Sequence, residues 1–293
     1  MKPLVSAIIL THNRKQLVCR AIDSVLKQTY PNIECIVVDD ASVDGTKEML
    51  SAHADIQYIY IPKEESRGGN YARNRGIAAA KGKYVAMLDD DDYWLPTKIE
   101  KQVALIEEKG CDLVYCGAQA EIVYPDGTIV YQDRLPIEEG QGDLSQKIFA
   151  HIYVLNCAMM IRKSALLECG LFDEKLRYWQ EYELTMRLAQ HSPFYYVNEV
   201  LLVFRVDKTE KQRLTNRFDG WRKSTHYIYR KHFSSIINLP FSLKIDLIMQ
   251  YLFEAMSRCQ SSNKKLLYLF YRNVKRLING PIKLRKKICS YKK

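Results

Sequence analysis

Lys83-Tyr84-Val85-Ala86-Met87-Leu88, followed at once by Asp89-Asp90-Asp91-Asp92, is the stretch on which this chain turns. The first six residues form an apolar run of strand length. The four carboxylates after it repel one another and raise each other's pKa unless a cation neutralises them. Carboxylates at i and i+2 suit a hard divalent ion that also takes diphosphate oxygens and keeps some waters. Acids also favour a helix N-terminus, and a helix is expected over 96–109, but a cap needs one aspartate rather than four.

Toward the N-terminus the same grammar repeats. Strand-length apolar runs at 4–10, 33–38 and 56–61 alternate with helical spacing over 14–28, 44–52 and 71–80. Asn13 is placed to cap the first of these helices. The β-α-β-α-β-α-β order predicts a parallel sheet covered by helices. Ligands of such sheets bind beyond the carboxyl ends of the strands. Strand one runs into Thr11-His12-Asn13-Arg14 and strand two into Asp39-Asp40-Ala41-Ser42-Val43-Asp44-Gly45-Thr46, so these clusters and Asp89–Asp92 should share one rim. Beyond it the pattern is mixed: a strand at 112–118, a hairpin over 121–130 turning at Pro125-Asp126-Gly127, a strand at 155–161, a helix at 181–190 and a strand-like run at 194–204.

From about residue 215 the pattern is helical, most clearly over 263–279. There Leu266, Leu267, Phe270, Val274, Leu277 and Ile278 fall on one face and Lys264, Lys265, Arg272, Lys275 and Arg276 on the other. Charge sharpens this division. The net charge is +10, yet twelve Lys and Arg follow Glu254, the last acidic residue, leaving the first 254 residues at −2. A basic amphipathic tail, continued by Lys283–Lys293, has two readings: its apolar face packs on the body, or it sits on anionic lipid.

Several classes are disfavoured. No GxGxxG follows a strand, and there is no GxxxxGK[ST], Gly-x-Ser-x-Gly elbow or HExxH. The eight cysteines form no CxxC pair and read as buried reduced thiols. The apolar run 4–10 is short for a signal peptide, and no stretch approaches the ~20 apolar residues of a membrane span. The expected location is cytoplasmic, peripheral on the inner face of the membrane if the tail binds lipid. A nucleic-acid binder is not expected, because the body is slightly acidic and its carboxylate rim repels phosphates.

The stretches Val5–Arg14, Val38–Thr46, Ala72-Arg73-Asn74-Arg75-Gly76 and Leu88–Trp94 together resemble the family 2 glycosyltransferases of GT-A fold, in order and spacing across residues 4–95, with weaker similarity to about 205. The resemblance implies an α/β, Rossmann-like parallel-core sheet flanked by helices. It divides the chain into a transferase domain, 1–210 (nucleotide-binding half 1–95, acceptor half 96–210), and a mostly helical extension, 211–293, whose basic tail starts at 255. It implies transfer of a sugar from a nucleotide sugar, usually a UDP sugar, to an acceptor such as a lipid-linked glycan of surface polysaccharide, with inversion and with Mg²⁺ or Mn²⁺.

Residue by residue, it implies that Asp40 binds the nucleobase and that Thr11 and Asn13 line the same pocket. Arg73 approaches the nucleotide or its diphosphate. Asp89 and Asp91 form the DxD pair, with Asp91 the direct metal ligand, and Asp90 lies near the ribose. The family's catalytic Asp is replaced here by Glu181 in Trp179-Gln180-Glu181-Tyr182-Glu183, and Glu183 is its rival as base. A sugar nucleotidyltransferase shares the plan but wants a Gly-rich loop after strand one, where this chain has Thr11-His12-Asn13-Arg14.

Overall fold

The computed structural model describes residues 2–209 and 217–290, with side chains to 278. The first part alternates β1 Val5–Thr11, α1 Lys15–Leu26, β2 Ile33–Asp40, α2 Thr46–Ser51, β3 Gln57–Ile61, α3 Gly69–Ala79 and β4 Tyr84–Asp89. There follow β5 Tyr93–Trp94, α4 Lys98–Lys109, β6 Leu113–Val123, β7 Ile129–Arg134, β8 Met160–Arg162, α5 Lys163–Cys169, α6 Gln180–Leu188 and β9 Phe194–Asp207. One sheet runs β3-β2-β1-β4-β8-β6-β9-β5, with β7 on β6. The β3-β2-β1-β4 half is parallel, and β8 joins β4 antiparallel. This is the expected α/β, Rossmann-like architecture. Helices cover both faces, so β1, β2 and β4 are almost continuously buried and read as mostly apolar runs, broken by Ser6 in β1 and Glu34 in β2.

One glycine sets how closely a helix approaches this sheet. A Cβ on Gly76 would stand 2.6 Å from Ile8 Cγ2 and 3.1 Å from Val38 Cγ2. Its absence lets α3 lie directly on β1 and β2, and Arg73, three residues earlier, is carried down to the strand ends.

Four local expectations are corrected. Asn13 does not cap α1: it adopts φ 52°, the flanking residue is Arg14, and the Asn13 side chain is committed to a neighbouring loop. Residues 155–161 are not one strand; a 3-10 turn at Asn156–Ala158 precedes the three-residue β8. That turn is held by Trp94 Nε1 and Gln102 Nε2, which donate to the carbonyls of Cys157 and Ala158. The strand expected at 112–118 runs on to Val123 as β6 and itself forms the first arm of the expected hairpin, Ile122 pairing with Val130 of β7. Cys19 is exposed, although five of the described thiols are buried.

By contacts the chain divides into two units, 1–148 with 152–209, and 149–151 with 210–293. The second contains α7 Phe218–Lys231, α8 Phe233–Ile237, α9 Phe241–Ser261 and α10 Lys265–Ser290. Its centre is aromatic: buried Trp221 stacks on Tyr251 at 5.3 Å, and Tyr271 meets Tyr251 edge-on at 6.1 Å. The apolar residues read from sequence as one face of α10 separate into two sets. Leu267, Val274 and Ile278 flank buried Tyr271 and are half-buried, whereas Leu266, Phe270 and Leu277 are 84, 60 and 76% exposed. Side chains of the basic stretch from Lys283 onward, and residues 291–293, lie outside the described residues.

One buried cation stands apart from the rim. Lys98 is fully buried, with Nζ 2.7 Å from Gln102 Oε1 and 4.3 Å from the Trp94 ring centroid. Burial pulls its pKa down to about 8 from 10.5. A base depressed on folding costs stability wherever both states are protonated, and the cost fades as pH climbs from about 8 to 10.5. Lys98→Met should therefore raise unfolding stability at pH 7 by about 1–3 kcal/mol, after allowing for Gln102 losing its donor. Urea melts of both proteins across this pH range should show the gap narrowing; a constant gap would mean that folding does not shift the Lys98 pKa.

Candidate active site

β1, β2 and β4 lie side by side in register, Leu10 beside Val38 and Asp89, so their carboxyl ends open onto one rim. Asp39 is buried and points inward. Its Oδ1 accepts from Ser42 N–H at 2.9 Å and its Oδ2 from Tyr58 Oη at 2.8 Å, which fixes the turn after β2. Asn13 ties the two loops together: its N–H donates to Ser42 Oγ at 2.8 Å and its Oδ1 accepts from Val43 N–H at 2.7 Å. Between these fixed points Asp40 stands with Oδ1 buried and without a hydrogen-bond partner.

The four aspartates take four environments. Asp90 is buried, accepts from Thr11 Oγ1 at 2.8 Å on Oδ2, and meets Arg14 Nη1 at 3.0 Å through Oδ1. Burial pushes its pKa up to about 6, with Arg14 and Thr11 pulling the other way. Asp92 is buried too, accepts from Arg205 N–H at 2.9 Å, and is raised well above the usual carboxylate range by burial and by Asp91 and Asp89. Asp89 and Asp91 are the accessible pair, with side chains 36 and 21% exposed. Asp91 Oδ2 meets Arg14 Nη1 at 2.9 Å, and Arg20 Nη2 donates to the Asp91 carbonyl at 2.8 Å. Arg20 and Arg205 both reach Glu121 on β6, which braces the loop from behind.

Asp89 Oδ1 accepts from Arg73 Nη2 at 2.9 Å and from Asn156 Nδ2 at 3.2 Å. Arg73 also donates through Nη1 to Gln180 Oε1 at 2.6 Å. Gln180 opens α6 directly before Glu181, so a single guanidinium links the aspartate loop to the helix carrying the expected base. Arg14, Asn156 and Gln180 had no role in the sequence reading. The only signal for Asn156 was a polar residue inside an apolar run.

Glu181 and Glu183 differ in what they can do. Glu183 is fully buried and bidentate to Arg187, with Nε at 3.0 and 3.1 Å and Nη2 at 2.7 Å. Arg187 in turn donates to the carbonyls of Leu171 and Cys169. Glu183 thus fastens α6 to the loop after α5 and is removed from solvent. Glu181 is half-buried in the first turn of α6.

Among the described residues no group of three or more His, Cys, Asp or Glu could hold a metal by itself. The donor set at Asp89 and Asp91 does fit a hard cation completed by substrate phosphate oxygens and water, which asks for only one or two carboxylates. The two carboxylates that do not face outward are the two whose burial is matched by protein donors.

Compared with known proteins, residues 6–167 match the model of glycosyl transferase family 2. An uncharacterized glycosyltransferase, RP339, of Rickettsia prowazekii is 34% identical over 207 residues, 70% of this chain; the chain spans 64% of that protein's length. A putative colanic acid biosynthesis glycosyl transferase, WcaA, of Escherichia coli K12 is 28% identical over 284 residues, 95% of this chain and 97% of WcaA. Among solved structures, TarS 1–349 of S. aureus in complex with UDP-GlcNAc superposes with a TM-score of 0.62 at 16% identity, covering 96% of this chain and 92% of that one, which supports a shared fold.

The Glu183–Arg187 pair yields a stability prediction. Glu183→Ala leaves the largely buried Arg187 without its counter-ion and should cost about 2–4 kcal/mol in urea unfolding. Glu181→Ala, at a half-exposed position, should cost under about 1 kcal/mol. Equal costs would contradict the roles read from these contacts.

Proposed function

This chain belongs to glycosyl transferase family 2, and we propose from that premise that it is a glycosyltransferase of the surface-polysaccharide type that moves a sugar from a UDP sugar to a hydroxyl of a lipid-linked glycan, with inversion. The observation that carries the donor reading is the buried Asp40 Oδ1, an acceptor without a donor on the same rim as the outward-facing Asp89 and Asp91. A nucleobase N–H is a donor of the right chemistry for it. Thr11 and Asn13 shape this pocket through the loops they tie, and Asp90 holds Thr11 and Arg14 beside the ribose. The transferase domain is residues 1–210, with 211–293 as its extension.

In the transfer, Glu181 accepts the proton of the acceptor hydroxyl. The acceptor oxygen then bonds to the anomeric carbon as the bond from that carbon to the diphosphate oxygen breaks. Arg73, already in contact with Asp89 and Gln180, stands where it can meet the diphosphate. A divalent cation, Mg²⁺ or Mn²⁺, at Asp91 and Asp89 would neutralise charge on the departing diphosphate. No covalent sugar–enzyme intermediate is needed, so a single carboxylate base suffices.

The partner surface follows from α10. Leu266, Leu269, Phe270 and Leu277 stand 39–84% exposed at i, i+3, i+4 and i+11, with Lys265 and Arg276 exposed beside them. An outward apolar stripe with basic flanks, in a region with no acid after Glu254, fits the face of an anionic bilayer, where each basic residue adds about 1 kcal/mol. A lipid-linked acceptor would be presented on that same surface.

Three experiments test these readings. Calorimetry with Mn²⁺ against UDP-, GDP-, dTDP- and CDP-sugars should give EDTA-sensitive binding of a UDP sugar. In the same assay Asp91→Asn should lose the cation dependence. Glu181→Gln should keep donor affinity while kcat falls about 10²–10⁴-fold; full turnover by that variant would remove Glu181 as base. Flotation with phosphatidylglycerol vesicles should recover the wild type and should recover much less of Leu266→Glu/Phe270→Glu, with binding weakened by salt. Equal flotation of both would sink the membrane reading.

A further inference from the structure

Among the described residues, two oxygens of Asp, Glu, Asn or Gln side chains are buried without a donor: Asp40 Oδ1 and Asn156 Oδ1. Asp40 stands at the end of β2. Asn156 stands next to the end of β4, its Nδ2 3.2 Å from Asp89 Oδ1. That contact fixes which way the amide faces. Rotating it would set its oxygen against a carboxylate that accepts only, so the N–H side belongs to Asp89 and Oδ1 is the atom left over.

The position is built to be rigid. Asn156 is 9% exposed and opens the 3-10 turn whose next two carbonyls accept from Trp94 Nε1 at 3.2 Å and Gln102 Nε2 at 2.8 Å. A buried acceptor held this firmly cannot turn to water, and it favours a ligand that brings a donor. Its neighbour Asp89 lies between it and Arg73, which reaches on to Gln180 and the base helix. In the donor site proposed above Asp40 is the nucleobase acceptor, and Asn156 is a second buried acceptor, on the side that leads through Asp89, Arg73 and Gln180 to the helix of Glu181.

We propose that Asn156 is a sugar-recognition residue, its Oδ1 accepting a hydrogen bond from a ring hydroxyl of the transferred sugar. The inference rests on the donor site proposed above and adds to it the residue that selects the sugar. A site with a fixed acceptor discriminates strongly against a donor lacking the matching hydroxyl, because the acceptor is then left buried and unpaired.

The test separates the nucleotide from the sugar. Calorimetry with Mn²⁺ compares UDP alone with the UDP sugar that the wild type binds, for wild type, Asn156→Ala and Asn156→Leu. Expected is an unchanged affinity for UDP and a loss of about tenfold or more for the UDP sugar. Equal weakening of both ligands would mean that Asn156 supports the loop only, and unchanged affinity for both would mean it touches no sugar; either result overturns the proposal. A wild type that binds no UDP at all would instead strike the donor site itself. Should both variants fold poorly, deoxy analogues of the sugar carry the test on the wild-type protein. One ring position should show the same tenfold loss, and tolerance of deoxygenation at every position would overturn the assignment.

Discussion

Four carboxylates on consecutive residues of one loop are the constraint around which the catalytic unit is arranged. In isolation they would unfold the loop toward water, since each raises the cost of ionising the next. The fold answers with partners drawn from several elements, Arg14 serving both Asp90 and Asp91. Thr11 and Arg14 come from the end of β1, Arg73 from α3, the Arg205 amide from β9 and Asn156 from the turn before β8. Elements far apart in sequence thus meet at one loop. Two carboxylates are folded in and two stay accessible to solvent.

Much of this was legible in the sequence because it follows from local chemistry. Mostly apolar runs mark strands buried on both faces, and polar clusters directly after them mark the rim. The order of β3, β2, β1 and β4 carries that rim without further assumption. Less legible were features decided by distant partners. Asn13 looks like a helix cap, but the N–H of Val43 competes for its side chain and wins. The strand expected at 155–161 is interrupted because Trp94 and Gln102 draw two of its carbonyls into a turn. Which of the four aspartates turn inward depends on Arg14, Asn156 and Arg205, and none of these is near them in sequence.

The second unit shows a related lesson about helical periodicity. Six apolar residues of α10 project onto one broad arc of a helical wheel, and the wheel alone gives them a single destination. In three dimensions only part of the arc is covered, the part centred on buried Tyr271. Leu267, Val274 and Ile278 lie beside it and are half-buried, while Leu266, Phe270 and Leu277 remain exposed. A helix with apolar residues on two sides and an almost purely basic charge complement is poorly suited to bulk water and well suited to an interface.

The chemistry at the rim depends most on how few atoms connect its two ends. The proposed inverting transfer would need the leaving group and the base on opposite sides of one carbon, so their separation must be held without either being rigidly locked. Arg73 provides a link of that kind. It is buried, held by Asn70 and by the Phe172 ring, and its two Nη atoms touch Asp89 and Gln180. Gly76 belongs to this argument too. A side chain there would lift α3 from the sheet and carry Arg73 out of reach of both partners, so the smallest residue on the helix sets the distance on which the arrangement depends.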